Sequence, residues 1–433
     1  MILAILGFGV LVTFMLVVMK RWASAFVAII VTPVVAAIIA GRGADLGDMA
    51  IGGIETVAPT AVLLLFAVLY FGVMMDAKLF DPVSALILRL SKGDPVRITV
   101  GTAVLALLVA LDGDGTTSYM IVCSAFLPIY RRIGMNPLVI ATVATMSLGL
   151  ISGSTPWGGA ATRGISVLKL DATEYFVHMI PSLILTSLFV ILVAFILGLR
   201  ERKHTNPLAV AALTAELSAV SLEPSVKPGW RLYFNAALTV LLLVLLVLGV
   251  APLVVLFIAG FVIALLVNHP HLKDQAEVVQ RHAASAVPVV MLVLAAGVFT
   301  GILSDTGMID AMADTILQAV PDSMGGWIPL FTALIALPLG FFMSNDAFFF
   351  GILPVLSSSA EQYGIHPIEI ARAGVIGQMM HMIGPASAPL WVLLGLIKAE
   401  LGDFQRFAIL WVLGGSLVFI LFAVLTGAIS LPI

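Results

Sequence analysis

The sequence predicts an all-α integral membrane protein, an inverted repeat of two five-crossing halves, each with a re-entrant helical hairpin and a discontinuous helix. Three observations predict it. Of 433 residues, 61% are hydrophobic and 10% charged, with mean hydropathy +1.16; soluble domains run at roughly a quarter charged, so this composition cannot clothe a water-exposed surface. Apolar runs long enough for membrane helices recur from end to end. A series of proline, glycine and polar landmarks in the first half returns in the same order in the second.

The same composition excludes a cytosolic enzyme, a secreted domain and a disordered chain. Net charge is −3, from 21 Lys+Arg against 24 Asp+Glu, which leaves no polycationic face for nucleic acid. Cys123 is the single cysteine, so no intramolecular disulfide framework or cysteine metal cluster exists.

Residues 1–19 carry no charge, and Lys20-Arg21 follows this run instead of preceding it, the reverse of a secretory signal. The mature protein is expected to start at Met1, its first helix in the bilayer. Nearly charge-free runs then follow at 22–41, 56–75, 98–111, 115–130, 133–162, 175–199, 232–267, 283–304, 323–345, 347–360, 373–397 and 407–433. A crossing helix needs about 20 apolar residues. The run 232–267, with Gly249 and Pro252 at its middle, reads as two helices and a tight turn. The short runs 98–111 and 115–130 flank Asp112-Gly113-Asp114-Gly115-Thr116-Thr117; a re-entrant hairpin explains both the lengths and the polar tip, since irregular backbone at membrane depth must lie in protein or beside water. SGSTPWGG at 152–159 interrupts the long run 133–162 and predicts a broken helix.

Pro59 and Pro288 stand 229 residues apart, and the same offset pairs Gly72 with Gly301, Asp76 with Asp305 and Asp81 with Asp310. Further on, the tip 112–117 answers Ser344-Asn345-Asp346, Gly134-x-x-Pro137 answers Gly364-x-x-Pro367, and Ser154-Thr155-Pro156-Trp157 answers Ser387-Ala388-Pro389-Leu390-Trp391. Hairpins do not cross, so each half crosses five times. An odd number inverts the second half, the architecture of secondary transporters. Positive charge agrees with it: with the N-terminus outside, seventeen Lys and Arg fall on cytoplasmic segments and Arg42, Lys169 and Arg372 on outer ones, leaving Arg163 near the first break. Both termini then lie outside, and the polar stretch 200–228 is a cytoplasmic linker.

Candidate site residues are the polar groups placed deep in the membrane. A carboxylate at the bilayer centre costs at least about 2.5–3.5 kcal/mol on insertion scales, so it marks a cavity or a cap. Asp112 and Asp114 are read both as hairpin-tip caps and as cavity groups. Thr116 and Thr117 begin the returning helix, whose N-terminus suits an anion; facing tips at Gly113–Thr117 and Ser344-Asn345-Asp346 are expected to hold one between them. Arg163 is either an interfacial anchor or a bidentate carboxylate ligand. His381 is a packing histidine or a proton or substrate contact. Asp346 is open among proton carrier, cation ligand and cap.

GDP at 93–95, LDGDGTTSYM at 111–120, PWGG at 156–159 with Arg163, MSNDAFFFG at 343–351 and ELGDFQRF at 400–407 together resemble the CitMHS family of metal–citrate:proton symporters, of the ion transporter superfamily. The resemblance covers essentially the whole chain. It implies a homodimer in the cytoplasmic (inner) membrane working by an elevator motion. Residues 1–92 and 206–322 would form the scaffold (the latter with the linker), and 93–205 and 323–433 the mobile transport domain. It implies as substrate citrate complexed with a divalent metal, magnesium or calcium, taken up with protons, and no enzymatic activity. Substrate would be bound at Gly113, Asp114, Gly115, Thr116, Thr117, Ser154, Thr155, Pro156, Gly158, Arg163, Ser344, Asn345, His381 and Ser387. Asp112, Asp114 and Asp346 would couple protons or cations, Asp114 and Asp346 also approaching the metal. A sodium- or proton-coupled carrier for another di- or tricarboxylate is the alternative. An intramembrane enzyme using Asp112 and Asp114 or His381 is the reading from a different class; no zinc-binding His pair on one helical face supports it.

Overall fold

The computed structural model describes residues 2–20, 22–91, 93–205, 229–248, 250–317 and 322–431. Among these the regular structure is entirely helical. Seven helical segments are long and apolar enough to cross a membrane, the first arms of the two hairpins among them. Most of the expected linker, the turn residue Gly249, and the cationic residues Arg21, Lys92 and Lys227 lie outside the described residues.

Helices α1 (Ile2–Met19), α2 (Ala25–Ile39) and α3 (Leu46–Asp76) open the chain, α3 carrying Pro59 in its interior. A short α4 (Asp81–Ser91) leads into the first hairpin, α5 (Pro95–Val109) and α6 (Gly115–Ile133). The expected broken helix follows as α7 (Pro137–Ser154) and α8 (Gly159–Val167), then α9 (Ala172–Val177) and α10 (Ile180–Arg202). The run 232–267 divides as expected into α11 (Trp230–Val247) and α12 (Leu253–Asn268), tied by two reciprocal 2.9 Å amide bonds between Asn235 and Asn268. The 34-residue α13 (Leu272–Asp305) carries Pro288, and α14 (Met308–Leu317) follows.

The second hairpin is α15 (Ile328–Phe342) and α16 (Leu353–Glu361), with a π-helical segment, Ala347–Ile352, on the returning arm. The second broken helix comes in three pieces, α17 (Pro367–Val375), α18 (Gln378–His381) and α19 (Ala388–Ile397). Its main interruption, 382–387, leads into the expected SAPLW signal, and an additional short turn at 376–377 precedes it. The physical reason is close crossing: α15 presses its Ala336 carbonyl on Gly377 and its Phe341 carbonyl on Gly384, where a Cβ would lie 2.3 Å away in each case. The chain ends in α20 (Leu401–Leu425).

Both hairpins join their broken helices by the same device. Gly134 and Gly364 take left-handed backbone (φ 79° and 77°). Asn136 and His366 then cap the next helix, accepting from the Leu138 and Ile368 N–H groups, and Pro137 and Pro367 occupy a first-turn position where a missing N–H costs nothing.

Packing divides into two clusters. In one, α3 and α13 lie along each other and gather α2 and α12. Their contact is glycine against backbone: a Cβ on Gly53 would fall 2.0 Å from the Gly297 oxygen, and one on Gly301 2.3 Å from the Met49 oxygen. Small residues let helices approach closely where lipid supplies no hydrophobic drive. Toward the other end Gly72 lies under the His282 ring, and Asp76 accepts from Arg281 (2.8 Å) and His282 (3.0 Å). Contacts Gly53–Gly301 and Gly72–His282 exchange into one another under the 229-residue offset.

The other cluster packs α5, α6, α7 and α10 with α15 to α20. Arg372, expected on an outer segment, is buried and donates to the Glu174 and Tyr175 carbonyls. Helix α8 joins the clusters, contacting α3 and α13 on one side and the second hairpin on the other.

Candidate functional site

The first hairpin turns through a 3-10 segment ending at Asp112 and through Gly113, whose φ of 81° suits glycine. Asp114 then caps α6. Its carboxylate accepts from the Thr116 N–H (3.1 Å), the Thr117 N–H (3.3 Å) and the Thr117 hydroxyl. Asp112 is buried, and its Oδ1 accepts from the Asp114 N–H (2.9 Å) and the Ser118 hydroxyl (3.1 Å). Both aspartates thus serve the tip as caps, and the N–H groups read as open to an anion are turned onto Asp114. The Asp114 side chain nevertheless remains exposed.

The break of α7–α8 holds that tip. Trp157 donates from Nε1 to the Leu111 carbonyl (2.6 Å), and Ser152 from Oγ to the Gly113 carbonyl (2.9 Å). Gly158 must be glycine, because a Cβ there would fall 1.7 Å from the Ser152 oxygen. Thr162 Oγ1 donates to the Pro156 carbonyl at 3.0 Å and lies 2.6 Å from the Gly158 carbonyl. Gly115 touches Pro389 of the second break.

One turn into α8, Arg163 reaches the other hairpin. Its Nε donates to Asp346 Oδ1 at 2.6 Å, both side chains being 17% exposed, and its Nη1 donates to the Gly159 carbonyl. These bonds place the guanidinium inside the protein and remove the interfacial-anchor reading. At the same tip Ser344 Oγ accepts from the Ala347 N–H (3.2 Å), and Asn345 Oδ1 accepts from Gln378 Nε2 (2.8 Å). His381 is buried and donates from Nδ1 to the Gly340 carbonyl (2.9 Å), the arrangement of a satisfied packing histidine. Ser387 begins α19, with its hydroxyl 3.7 Å from the Met382 sulfur.

The two tips therefore meet the same broken helix from different sides, and no hydrogen bond or ion pair joins them among the described residues. At the two broken helices Ser154 Oγ, Thr155 Oγ1 and Gln378 Oε1 are buried without a hydrogen-bond partner among the described residues, as are Tyr175 Oη, Thr332 Oγ1 and Ser357 Oγ elsewhere. Buried polar groups are nearly always paired, so such orphans in a native interior call for a ligand, an ion or water. Gln378 is absent from the sequence-predicted set. The structure packs its side chain against Gly153, a contact that no local sequence pattern announces. Among the described residues no three His, Cys, Asp or Glu side chains gather as a metal-binding group.

The profile of the CitMHS citrate transporter family matches residues 11–377. Three proteins of Bacillus subtilis (strain 168) are similar over 99–100% of this chain and 100% of their own length. They are a transporter described as uncharacterized, YraO (47% identical), a citrate transporter (46%) and a Mg2+/citrate complex secondary transporter (43%). Among solved structures, the Alcanivorax borkumensis YdaH transporter superposes with a TM-score of 0.54 over 89% of this chain and 88% of its own, at 17% identity, a likeness of fold. The chain is a membrane protein, a transporter and not an enzyme, and it belongs to the CitMHS family of citrate transporters.

Proposed function

We propose that this chain is a secondary active transporter that takes up citrate complexed with a divalent metal, magnesium or calcium, together with protons, by an elevator motion. Its relatives described as a citrate transporter and a Mg2+/citrate complex secondary transporter support the substrate. The observation that carries the coupling is the Arg163–Asp346 ion pair. Citrate bound to a dication keeps a small net negative charge, and a guanidinium is the natural partner for its free carboxylate. While Asp346 is ionised it holds that guanidinium. A proton on Asp346 neutralises it and releases Arg163 to the incoming complex, so proton and complex load together. Loss of both restores the ion pair in the empty carrier.

The orphaned hydroxyls of Ser154 and Thr155 and the amide N–H of Asn345 are the uncharged donors for citrate's remaining carboxylate oxygens, and the orphaned Gln378 Oε1 accepts from citrate's hydroxyl. The metal travels as cargo, ligated by citrate, which supplies several of the oxygens that magnesium and calcium prefer. Asp114 stands outside this set and meets the dication at the first tip.

The cluster of α5 to α10 with α15 to α20 is read as the carrier, and α1 to α4 with α11 to α14 as the scaffold and dimer interface. The reading sets the chain in the cytoplasmic membrane, and the distribution of Lys and Arg supports an orientation with both termini outside. Proteoliposome uptake of labelled citrate with magnesium, calcium or chelator, against imposed proton and sodium gradients, tests the reading. Uptake that needs a dication and follows the proton gradient supports it. Dication-independent uptake driven by sodium overturns it in favour of a sodium-coupled carboxylate carrier.

A further inference from the structure

A cavity of about 190 Å3 opens where the first hairpin tip faces α3 and α13. It has room for about six waters. Asp112, Asp114 and Thr117 line one wall, and Gly72, His282 and Ser285 the opposite one. Its edge reaches Gly159, whose carbonyl holds Arg163. The cavity thus adjoins the Arg163–Asp346 site without being that site.

The two walls differ in chemistry. On the hairpin side the exposed Asp114 carboxylate repels free citrate and attracts a dication. On the other side the His282 ring is held by Asp76 at 3.0 Å through Nε2, leaving Nδ1 as its free polar atom among the described residues, and the Ser285 hydroxyl lies on the next turn. Close helix packing does not demand this imidazole. The 229-residue offset pairs His282 with Gly53, and at that place α3 and α13 come together closely with a glycine in the corresponding position. A complex of a dication with a hydroxycarboxylate carries a cationic face for the aspartate, a hydroxyl that can donate to the imidazole Nδ1, and carboxylate oxygens that accept from the Ser285 hydroxyl.

We propose that this cavity is a second binding station for the metal–citrate complex, in which His282 and Ser285 of the scaffold helix touch the cargo and the acidic wall rejects citrate without metal. The proposal rests on the metal–citrate reading above. It makes the scaffold part of substrate recognition, with the cargo bridging scaffold and carrier before or after it occupies the Arg163 site.

The experiment uses single cysteines, Ser285→Cys and, on the next turn of the same wall, Val289→Cys, each in a Cys123→Ser background. A small water-soluble methanethiosulfonate labels them in proteoliposomes. Magnesium with citrate is expected to slow labelling about fivefold or more at saturation. Citrate with chelator, or magnesium alone, leaves the rate unchanged, and adding His282→Ala removes the protection. Unaltered labelling at both positions, or protection as strong in His282→Ala, overturns the proposal. The Cys123→Ser parent separates the two levels: if it takes up magnesium–citrate while neither cysteine is protected, the cavity assignment falls and the transport reading stands. A parent that takes up no citrate complex overturns the transport reading on which the cavity rests.

Discussion

Arg163 and Asp346, 183 residues apart in sequence, meet at 2.6 Å where the first broken helix passes the second hairpin tip. The pair joins the two halves of the chain through one charge-assisted bond. A partly buried ion pair of this kind leaves either member stranded when the other is removed, which makes each residue a sharp probe.

Arg163→Ala is expected to abolish uptake of the anionic complex while the protein still purifies as a monodisperse species by size-exclusion chromatography. Arg163→Lys is expected to retain charge but not the fork geometry, with a loss of about tenfold or more in kcat/KM. Near wild-type affinity in Arg163→Ala sinks the binding role.

Asp346→Asn mimics the neutral side chain permanently. Citrate uptake in this variant is expected to lose its dependence on external pH and on the proton gradient, whereas equilibrium binding of magnesium–citrate persists. A pH profile identical to wild type moves proton coupling elsewhere in the protein.

Asp114 separates cap from charge. Asparagine caps as well as aspartate, so Asp114→Asn keeps the hairpin's thermal stability, and Asp114→Ala loses about 0.5–2 kcal/mol. The melting temperatures of the two variants check this. A changed pH profile in Asp114→Asn at unchanged stability adds a coupling role to the cap.

Gly53→Ala places a methyl group where the Gly297 carbonyl already stands. Overpacking of this kind costs about 1–3 kcal/mol, and a lower melting temperature in detergent is expected. Gly52→Ala, with open space around its Cβ position, is the control. Equal stability of both variants contradicts the close α3–α13 approach.

Leu11 of α1 lies 3.9 Å from the position of a Cβ on Gly351 in the second hairpin. A bifunctional reagent joining Leu11→Cys and Gly351→Cys, again without Cys123, is expected to stop transport, and cleaving the link to restore it. Full activity in the linked protein contradicts the elevator motion and favours gating by the tips alone.

Much of this architecture was legible in the sequence because the bilayer makes irregular backbone conspicuous. The tips at 112–117 and 344–346 and the first break stand out as polar or glycine–proline interruptions, and the Gly-x-x-Pro connectors announce a left-handed turn, a cap and a helix start. The partnerships were less legible. Asp112 and Asp114 read both as caps and as cavity groups until the bonds to Thr116, Thr117 and Ser118 are seen. Nothing local to Arg163 names Asp346. Gln378 and His282 were missed for a related reason: their meaning comes from an unpaired oxygen and from a cavity wall, and both arise from helices brought together across the repeat. The additional turn at 376–377 was not legible because Gly377 answers to the backbone of α15, which no nearby residue reveals.

The most direct test of the central claim is uptake of labelled citrate into proteoliposomes across a series of external pH values, with magnesium or with chelator, in wild type and in Asp346→Asn. Coupling through the Arg163–Asp346 exchange predicts magnesium-dependent uptake that rises as external pH falls in wild type, and magnesium-dependent uptake with a flat pH profile in the variant. Uptake indifferent to magnesium, or the same pH profile in both proteins, contradicts it.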